Sequence, residues 1–249
     1  RRVNESGKWQ EIREKLASLV DAESGTALKP NSALSGIYLR YLNKEKIPSR
    51  FSSLGSYLAF ALTGAHCSHV TDLCATGFYY VDGTPNETAK LFDCAFATAV
   101  TDYKPIGKFA GAAVFPPIGD QQASIYAHAD EKSYFLNIGT AAQLCAIVSG
   151  RAVGKFESRP FFGGTLCTLT GLIGGGAISE KGDCLSEKMQ NEYMRALPLL
   201  PKRKKIKIMG GTAFYHKELI LKALEPLGLP VEICAGDALD GLKLIKESE

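Results

Sequence analysis

Apolar residues recur at helical spacing in several parts of the chain. Trp9, Ile12, Leu16 and Leu19 lie three or four positions apart among charged residues, which predicts an amphipathic helix over 8–20. Similar patterns and their polar boundaries predict further helices over 35–42, 53–62, 86–97, 120–126, 187–197, 215–224 and 238–245. The helix over 86–97 would begin at a cap supplied by Asn86 or Thr84.

Shorter apolar runs predict strands. These runs cover 111–114, 134–138, 143–148, 206–209 and 230–234. The second and third face each other across Gly139-Thr140, as the two arms of a hairpin do. Strands and helices alternate in the later part of the chain, so the predicted fold class is α/β.

The composition is that of an ordinary folded protein. The chain has 249 residues, 45% of them hydrophobic, and a net charge of only +3. We therefore expect no nucleic-acid partner and no membrane partner, since both need concentrated basic surface. The basic run over 202–205 is interpreted as a solvated loop, with a nucleic-acid patch as the alternative. No apolar stretch is long enough to span a membrane, and the residues over 1–5 are unlike a signal peptide.

Seven cysteines are scattered along the chain without a CxxC pair. An odd number of thiols, several within apolar runs, predicts buried free cysteines in a reducing compartment, hence a cytoplasmic protein. His66 and His69 are three positions apart and could bind a metal ion. No further ligand set accompanies them, so no metal site is predicted.

Asp120 is the first candidate for chemistry. It follows Gly119 at the end of an apolar run and begins a predicted helix, where a carboxylate can face a cleft. Asp120 could accept a proton from a substrate hydroxyl as a general base, and Gln121 could orient that substrate by hydrogen bonds. The alternative is that Asp120 only caps the helix.

Two glycine corners are candidates for binding an anion or a nucleoside. At Gly139-Thr140, backbone N–H groups and a hydroxyl could converge on a phosphate, or the corner could be an ordinary tight turn. At Gly210-Gly211, a strand runs into a glycine pair ahead of a helix. That corner could seat a nucleoside or a phosphate, or simply connect two elements. Neither the P-loop nor the Rossmann glycine motif occurs in the sequence.

Taken together and in order, these segments resemble the FGGY carbohydrate kinases, a branch of the actin-like ATPase superfamily. The resemblance covers most of the chain and rests on seven segments: SYLAFALTG (56–64), VTDLCATGFYYVD (70–82), GDQQAS (119–124), YFLNIGTAAQL (134–144), RPFFGG (159–164), GLIGGGA (171–177) and the run over 207–233. The segments over 33–42 and 136–144 lean toward sedoheptulokinase-like members.

The resemblance implies an actin-like (ribonuclease H-like) fold of two domains, over 1–132 and 133–249, with a cleft between them. It also implies transfer of the ATP γ-phosphate to a hydroxyl of a sugar, a ketose such as sedoheptulose or xylulose, with Mg²⁺ bridging the phosphates. A homodimer is compatible with it. The implied site residues are Asp120 as the base, Gln121 on the sugar, Gly139 and Thr140 on phosphate, Gly174 and Gly175 beside the nucleotide, and Gly210 and Gly211 at the adenosine.

The sequence departs from the family in three places. An Asp-x-Gly-Thr-Thr phosphate loop, with which the family begins, does not occur, so we expect the first domain to be incomplete. Ala213 and Phe214 follow the glycine pair where the family usually has an asparagine, and the span over 176–210 is short. A fragment, a chain with omitted segments and a reduced relative all remain open.

Two other functions remain open beside the kinase. A noncatalytic relative would bind nucleotide or sugar without transferring phosphate. An unrelated α/β enzyme, with purely structural glycine corners, would not be stabilised by ATP.

Overall fold

The computed structural model describes residues 2–20, 28–178, 185–236 and 238–248. The chain divides into two compact units. Unit 1 consists of residues 1–120 with the short segments 158–160 and 245–249, and unit 2 consists of residues 121–157 and 161–244. The domain boundary that the resemblance implies, between residues 132 and 133, remains a prediction.

Unit 1 is built from short elements. Its helices are α1 (Arg2–Glu5), α2 (Trp9–Leu16), α3 (Ala33–Leu42), α4 (Leu54–Thr63) and α5 (Val70–Leu73). Its strands are β1 (Arg50–Phe51), β2 (Cys67–His69), β3 (Ala95–Phe96), β4 (Thr98–Val100), β5 (Gly107–Phe109) and β6 (Ala112–Val114). The strands pair two by two, with β1–β3 and β2–β4 parallel and β5–β6 antiparallel.

The helix α4 shows how the local sequence sets an element of unit 1. The Ser53 hydroxyl accepts a hydrogen bond from the Ser56 backbone N–H, which caps the first turn. Gly64 ends the helix in the left-handed conformation at φ 78°, which glycine adopts at little steric cost. The core of this unit is formed by fully buried residues of several elements, among them Ile12, Leu34, Leu73 and Phe78.

Unit 2 is organised around one mixed sheet. Its helices are α6 (Asp120–Tyr126), α7 (Gly175–Ile178), α8 (Leu185–Ala196), α9 (Gly211–Tyr215), α10 (Lys217–Leu224) and α11 (Ala238–Ser248). Its strands are β7 (Ser133–Ile138), β8 (Ala142–Ser149), β9 (Glu157–Phe161), β10 (Gly164–Leu172), β11 (Lys205–Met209) and β12 (Val231–Ile233). Asp120, the last residues of α11 and residues 158–160 of β9 are counted with unit 1.

The six strands lie in the order β12-β11-β7-β8-β10-β9. The strands β7, β11 and β12 are parallel, and β8 is antiparallel to both β7 and β10. Successive side chains point to opposite faces of a strand. Leu136 therefore packs in one core with Met189 of α8 and Ile220 of α10, whereas Phe135 packs in a second core with Ile125 of α6.

Most of the predicted elements are present, and the β7–β8 hairpin is confirmed with its turn at Gly139-Thr140. The helix predicted over 86–97 is wrong, because only one 3-10 turn (Ala89–Leu91) forms there, followed by β3. The Asn86 side chain donates to the Gly77 carbonyl and accepts from Thr88, so it stabilises a turn instead of a helix end.

One further prediction needs correction, and two strands were missed. The helix predicted over 215–224 begins at Lys217, because His216 has a non-helical backbone (φ −122°, ψ 33°) that separates α9 from α10. The strands β9 and β10 were not predicted. Their stretch is rich in glycine, which weakens the usual sequence signal of a strand.

Candidate functional site

The turn between β7 and β8 contacts the start of α7, shortly after β10, through the backbone. The Gly175 N–H donates to the Gly139 carbonyl oxygen at 2.7 Å, and the Gly176 N–H donates to the Thr140 carbonyl oxygen at 2.8 Å. Both distances are those of good N–H···O hydrogen bonds. The segment that contains the predicted nucleotide glycines is thus hydrogen-bonded directly to the predicted phosphate turn.

Side chains larger than hydrogen do not fit at two glycines of this region. A Cβ atom at Gly174 would lie 2.6 Å from the carbonyl carbon of Ala141. One at Gly210 would lie 2.5 Å from the carbonyl oxygen of Ile138, and Gly210 also has a φ of 98°. Only glycine allows such close approaches. Packing therefore requires glycine at both positions, and the backbone conformation requires it at Gly210 as well.

Gly175 lies between the phosphate turn and the segment that contains Gly210 and Gly211. A Cβ atom at Gly175 would lie 2.6 Å from the Thr212 hydroxyl oxygen and 2.9 Å from the Gly139 carbonyl oxygen. We call the three segments that meet here, namely Gly139–Thr140, Gly174–Gly176 and Gly210–Thr212, the glycine junction. The sequence presented them as separate corners, and the structure joins them in unit 2.

A pocket of about 250 Å³ opens beside the glycine junction. Its lining combines bare backbone, small polar side chains, one aromatic ring and one methionine, from Ser124, Asn137, Met209, Gly210, Gly211, Phe214 and Gly236. A Cβ atom at Gly211 would meet open space, so this residue borders the pocket without being packed. Gly210 and Gly211 were predicted as site residues, whereas the other five lining residues were not.

The missed lining residues left little trace in the sequence. Asn137 precedes the phosphate turn by two positions and is a polar, half-buried residue in a strand whose other residues are buried, which is the one signal that could have pointed to it. Phe214 stands at the departure from the family pattern. Ser124 and Gly236 reach the pocket only through the folding of the chain.

Asp120 is the first residue of α6 and is exposed, as a group that acts on a substrate must be. Gln121 differs from it: its side chain is 6% exposed, and its Nε2 donates to the Cys145 sulfur on β8 at 3.0 Å. The division between the two units falls between these neighbours. Thr140 is also exposed, and Gly139 is half-buried.

An ion pair holds the segment that follows α6. The Lys207 ammonium on β11 lies 2.8 Å from the Asp130 carboxylate and donates to the His128 carbonyl oxygen at 2.7 Å. Burial opposes ionisation of Asp130, but hydrogen bonds from Lys207, Ser133 and the Lys132 N–H outweigh it and lower the pKa of Asp130 to about 2. Asp130 is therefore a carboxylate under all ordinary conditions.

His66 and His69 each have neighbours in the protein. The His66 Nε2 contacts the Ser52 hydroxyl and the Phe51 carbonyl, and His69 contacts Thr71 and the Thr101 carbonyl. Among the described residues, no group of three or more histidine, cysteine or acidic side chains could hold a metal ion. Over the same residues, no helix has the length and apolar character that crossing a membrane requires.

Six of the seven cysteines lie in the described part of the chain, and all six are free thiols. Cys184 lies outside the described residues. Burial raises the pKa of Cys167 to about 11, which keeps this thiol protonated and unreactive.

No protein-family model matches the sequence, and no curated protein matches it. Solved structures do match the fold. A ligand-bound xylulose kinase from Lactobacillus acidophilus superposes with a TM-score of 0.72 and 12% identity, covering 99% of this chain and 68% of that one. A xylulose kinase from Rhodospirillum rubrum gives 0.73 and 12%, covering 96% and 68%. A gluconate kinase from Lactobacillus acidophilus gives 0.70 and 11%, covering 99% and 68%.

The chain therefore has the fold of FGGY-type carbohydrate kinases, an actin-like ATPase fold. This confirms the fold class that the resemblance of the sequence implied. At such low identity the likeness establishes the fold alone, and function depends on the residues of the site.

Proposed function

We propose that the protein is an ATP-dependent carbohydrate kinase that transfers the γ-phosphoryl group to a sugar hydroxyl. The observation that carries this proposal is the glycine junction, where three separate glycine segments meet beside a pocket in a kinase fold. A Cβ atom at Gly174, Gly175 or Gly210 would clash, so no side chain covers the backbone at these positions, and exposed backbone groups suit phosphates and a nucleoside.

The nucleotide would bind in unit 2. Thr140 would contact phosphate oxygens through its backbone N–H and its exposed hydroxyl. Gly139, whose own N–H donates to the Ala141 carbonyl oxygen at 3.2 Å, would contact phosphate by allowing it to approach the turn closely. Gly174 and Gly175 fix the neighbouring loop, and Gly210 and Gly211 border the pocket that would receive the adenosine. Phe214 lines this pocket and offers an aromatic face to the base, in place of the asparagine that is usual in the family.

The described residues fit a nucleotide better than they fit a resident metal ion. The pocket and its glycine border suit ATP, whereas no cluster of three ligand side chains is present among the described residues. Mg²⁺ would therefore arrive with ATP, bound mainly by phosphate oxygens. When bound, it neutralises phosphate charge.

Asp120 would act as the general base. Its carboxylate accepts the proton of the sugar hydroxyl while the hydroxyl oxygen bonds to the γ-phosphorus and the bond to the ADP oxygen breaks. Help of this kind is worth about 10²–10⁴-fold in rate. The exposure of Asp120 at the start of α6 supports this role.

A ketose such as xylulose or sedoheptulose is the proposed acceptor, and the cytoplasm, which suits the free thiols, is the proposed location. A homodimer remains part of the proposal, as does sugar binding by Gln121. A second candidate is a noncatalytic relative that binds nucleotide or sugar. The burial of Gln121 against Cys145 favours it, because this side chain is not displayed to a substrate.

A panel of ketoses and aldoses, each with and without Mg-ATP, separates the candidates. Thermal unfolding shifts report binding, and coupled ADP release reports turnover. The kinase proposal expects stabilisation by Mg-ATP and ADP release that depends on one class of sugar. Stabilisation without sugar-dependent ADP release would support the noncatalytic relative, and no stabilisation by ATP or by any sugar of the panel would contradict both.

A further inference from the structure

The backbone immediately before Asp120 is held by a buried threonine. The Gly119 N–H donates to the Thr71 hydroxyl oxygen at 3.1 Å, across 48 positions of sequence. Thr71 is 1% exposed and belongs to the short helix α5, whereas Gly119 is the residue to which Asp120 is joined. A side chain from a distant segment thus fixes the orientation of the peptide at this corner.

His69 determines which way the Thr71 hydroxyl points. The His69 Nε2 lies 3.1 Å from the Thr101 carbonyl oxygen, and a carbonyl can only accept, so Nε2 carries the proton. Nδ1 is then the acceptor, and it lies 2.8 Å from the Thr71 hydroxyl and 3.3 Å from the Thr71 N–H. The hydroxyl proton therefore points to His69, which leaves a lone pair of its oxygen for Gly119.

A second set of bonds holds the residue two positions earlier. The His69 backbone N–H donates to the Pro117 carbonyl oxygen at 3.1 Å, and the Ser68 hydroxyl lies 3.3 Å from the same oxygen. Ser68 also donates to the Asp72 carboxylate at 2.7 Å. Residues within one short segment, 68–71, thus hold both ends of the Pro117–Gly119 segment.

The burial of these groups makes their geometry rigid. Ser68, His69 and Thr71 are at most 2% exposed, so water does not compete for their hydrogen bonds. A purely structural account explains why such buried polar groups are paired. Pairing alone does not explain why the partners of Thr71 and His69 are the Gly119 N–H and the Pro117 carbonyl, which lie just before Asp120.

We propose that Thr71, oriented by His69, is a positioning residue that sets the direction of the Asp120 carboxylate through Gly119. This inference rests on the proposed function of Asp120 as the base. Small misplacement of a reacting group costs up to about 10²-fold in rate. The role therefore predicts a loss of turnover that exceeds any loss of folded protein.

The test is Thr71→Val in the full chain, compared with two matched variants. Thr71→Ser keeps the hydroxyl and removes only a methyl group. Thr88→Val makes the same change at another buried threonine of unit 1, which is 0% exposed and whose hydroxyl lies 2.5 Å from the Asn86 Oδ1 and 3.0 Å from the Gly77 carbonyl oxygen. The measurements are kcat and KM for sugar phosphorylation, the thermal midpoint, and hydrogen exchange of the Gly119 amide.

We expect Thr71→Val to lower kcat by about 10- to 100-fold with little change in the KM for ATP. Exchange of the Gly119 amide should become faster. Thr71→Ser should keep kcat and the exchange of the Gly119 amide near their original values. Thr88→Val should lower the thermal midpoint about as much as Thr71→Val does, while keeping kcat. Equal loss of kcat in the two valine variants would contradict the inference, as would unchanged exchange at Gly119.

Asp120→Asn in the same assay separates this inference from the function on which it rests. If that variant loses turnover and Thr71→Val does not, the positioning role is wrong and the base remains. If Asp120→Asn keeps full turnover, or the unmodified chain transfers no phosphate, the proposed function fails and the role of Thr71 in catalysis fails with it.

Discussion

The glycine junction of unit 2 and the Pro117–Asp120 segment of unit 1 are held in opposite ways. In the glycine junction, backbone packs on backbone, and a Cβ atom at Gly174 or Gly210 would lie within 2.6 Å of another atom. In the Pro117–Asp120 segment, buried side chains hold the backbone through hydrogen bonds.

The difference predicts how each region responds to substitution. The glycine junction fails when an atom is added at a packed glycine such as Gly174 or Gly210, because the neighbouring backbone cannot move aside. A segment that depends on hydrogen bonds fails when a donor or an acceptor is removed, and a conservative replacement can restore it. Stability should report changes in the first region, and turnover should report changes in the second.

The largest effect is expected for Gly210→Ala. The added methyl group would clash with the Ile138 carbonyl oxygen at 2.5 Å and would force alanine to a φ of 98°. We expect the free energy of unfolding to fall by about 3–5 kcal/mol. Urea denaturation followed by circular dichroism measures this change.

Gly211→Ala is the matched control, because the same methyl group at the next residue meets open space. Its free energy of unfolding should change by less than about 1 kcal/mol. Similar losses in the two variants would show that the junction is not defined by backbone contact, which would remove the contrast with the Pro117–Asp120 segment.

Gly211→Ala should nevertheless weaken nucleotide binding. Its methyl group would enter the space beside the pocket that Gly210 and Phe214 line. We expect the Kd for Mg-ATP to rise about tenfold, equivalent to about 1.4 kcal/mol. Isothermal titration calorimetry tests this, with Gly36→Ala as a control at an equally open glycine of unit 1. An unchanged Kd would place the nucleotide elsewhere.

The smallest effect concerns the ion pair that holds the segment after α6. The pKa of Asp130 is lowered in the folded protein from its ordinary value of 3.8 to about 2, so its stabilising contribution is present above pH 4. That contribution is lost as the pH falls from about 4 to about 2. Because the pair is partly exposed, we expect Asp130→Asn to cost about 1 kcal/mol at pH 7.

Denaturation of the original chain and of Asp130→Asn at pH 7 and at pH 2 measures this contribution. The difference in unfolding free energy between the two proteins should shrink at the lower pH. A difference that stays constant across this range would mean that the carboxylate charge does not stabilise the segment. The segment would then be held by packing, as the glycine junction is.

The sequence predicted the elements of the glycine junction because glycine leaves a visible pattern. The Gly139-Thr140 turn and the Gly210-Gly211 pair each stand between periodic segments. Their convergence could not be predicted from spacing, since it depends on the strand order, in which β11 lies beside β7. The strands β9 and β10 escaped prediction for the related reason that glycine dilutes their apolar pattern.

The polar contacts before Asp120 could not be predicted for a different reason. Thr71 and Gly119 are 48 positions apart, and a buried threonine resembles an exposed one in the sequence. The prediction of a helix beginning near Asn86 failed for the same reason. The Asn86 side chain was assigned to a helix end, although its partner is the Gly77 carbonyl, nine positions earlier. Long-range partners of single polar side chains leave no periodic signal.

Transfer of radiolabelled γ-phosphate from ATP to xylulose and sedoheptulose, by the full chain and by Asp120→Asn, tests the central claim most directly. Asp93→Asn serves as the control for removing an exposed carboxylate from unit 1. We predict transfer by the original chain and by Asp93→Asn, and at least about 10²-fold less by Asp120→Asn with nearly unchanged ATP affinity. Undiminished transfer by Asp120→Asn, or no transfer by the original chain to any sugar, would contradict the account.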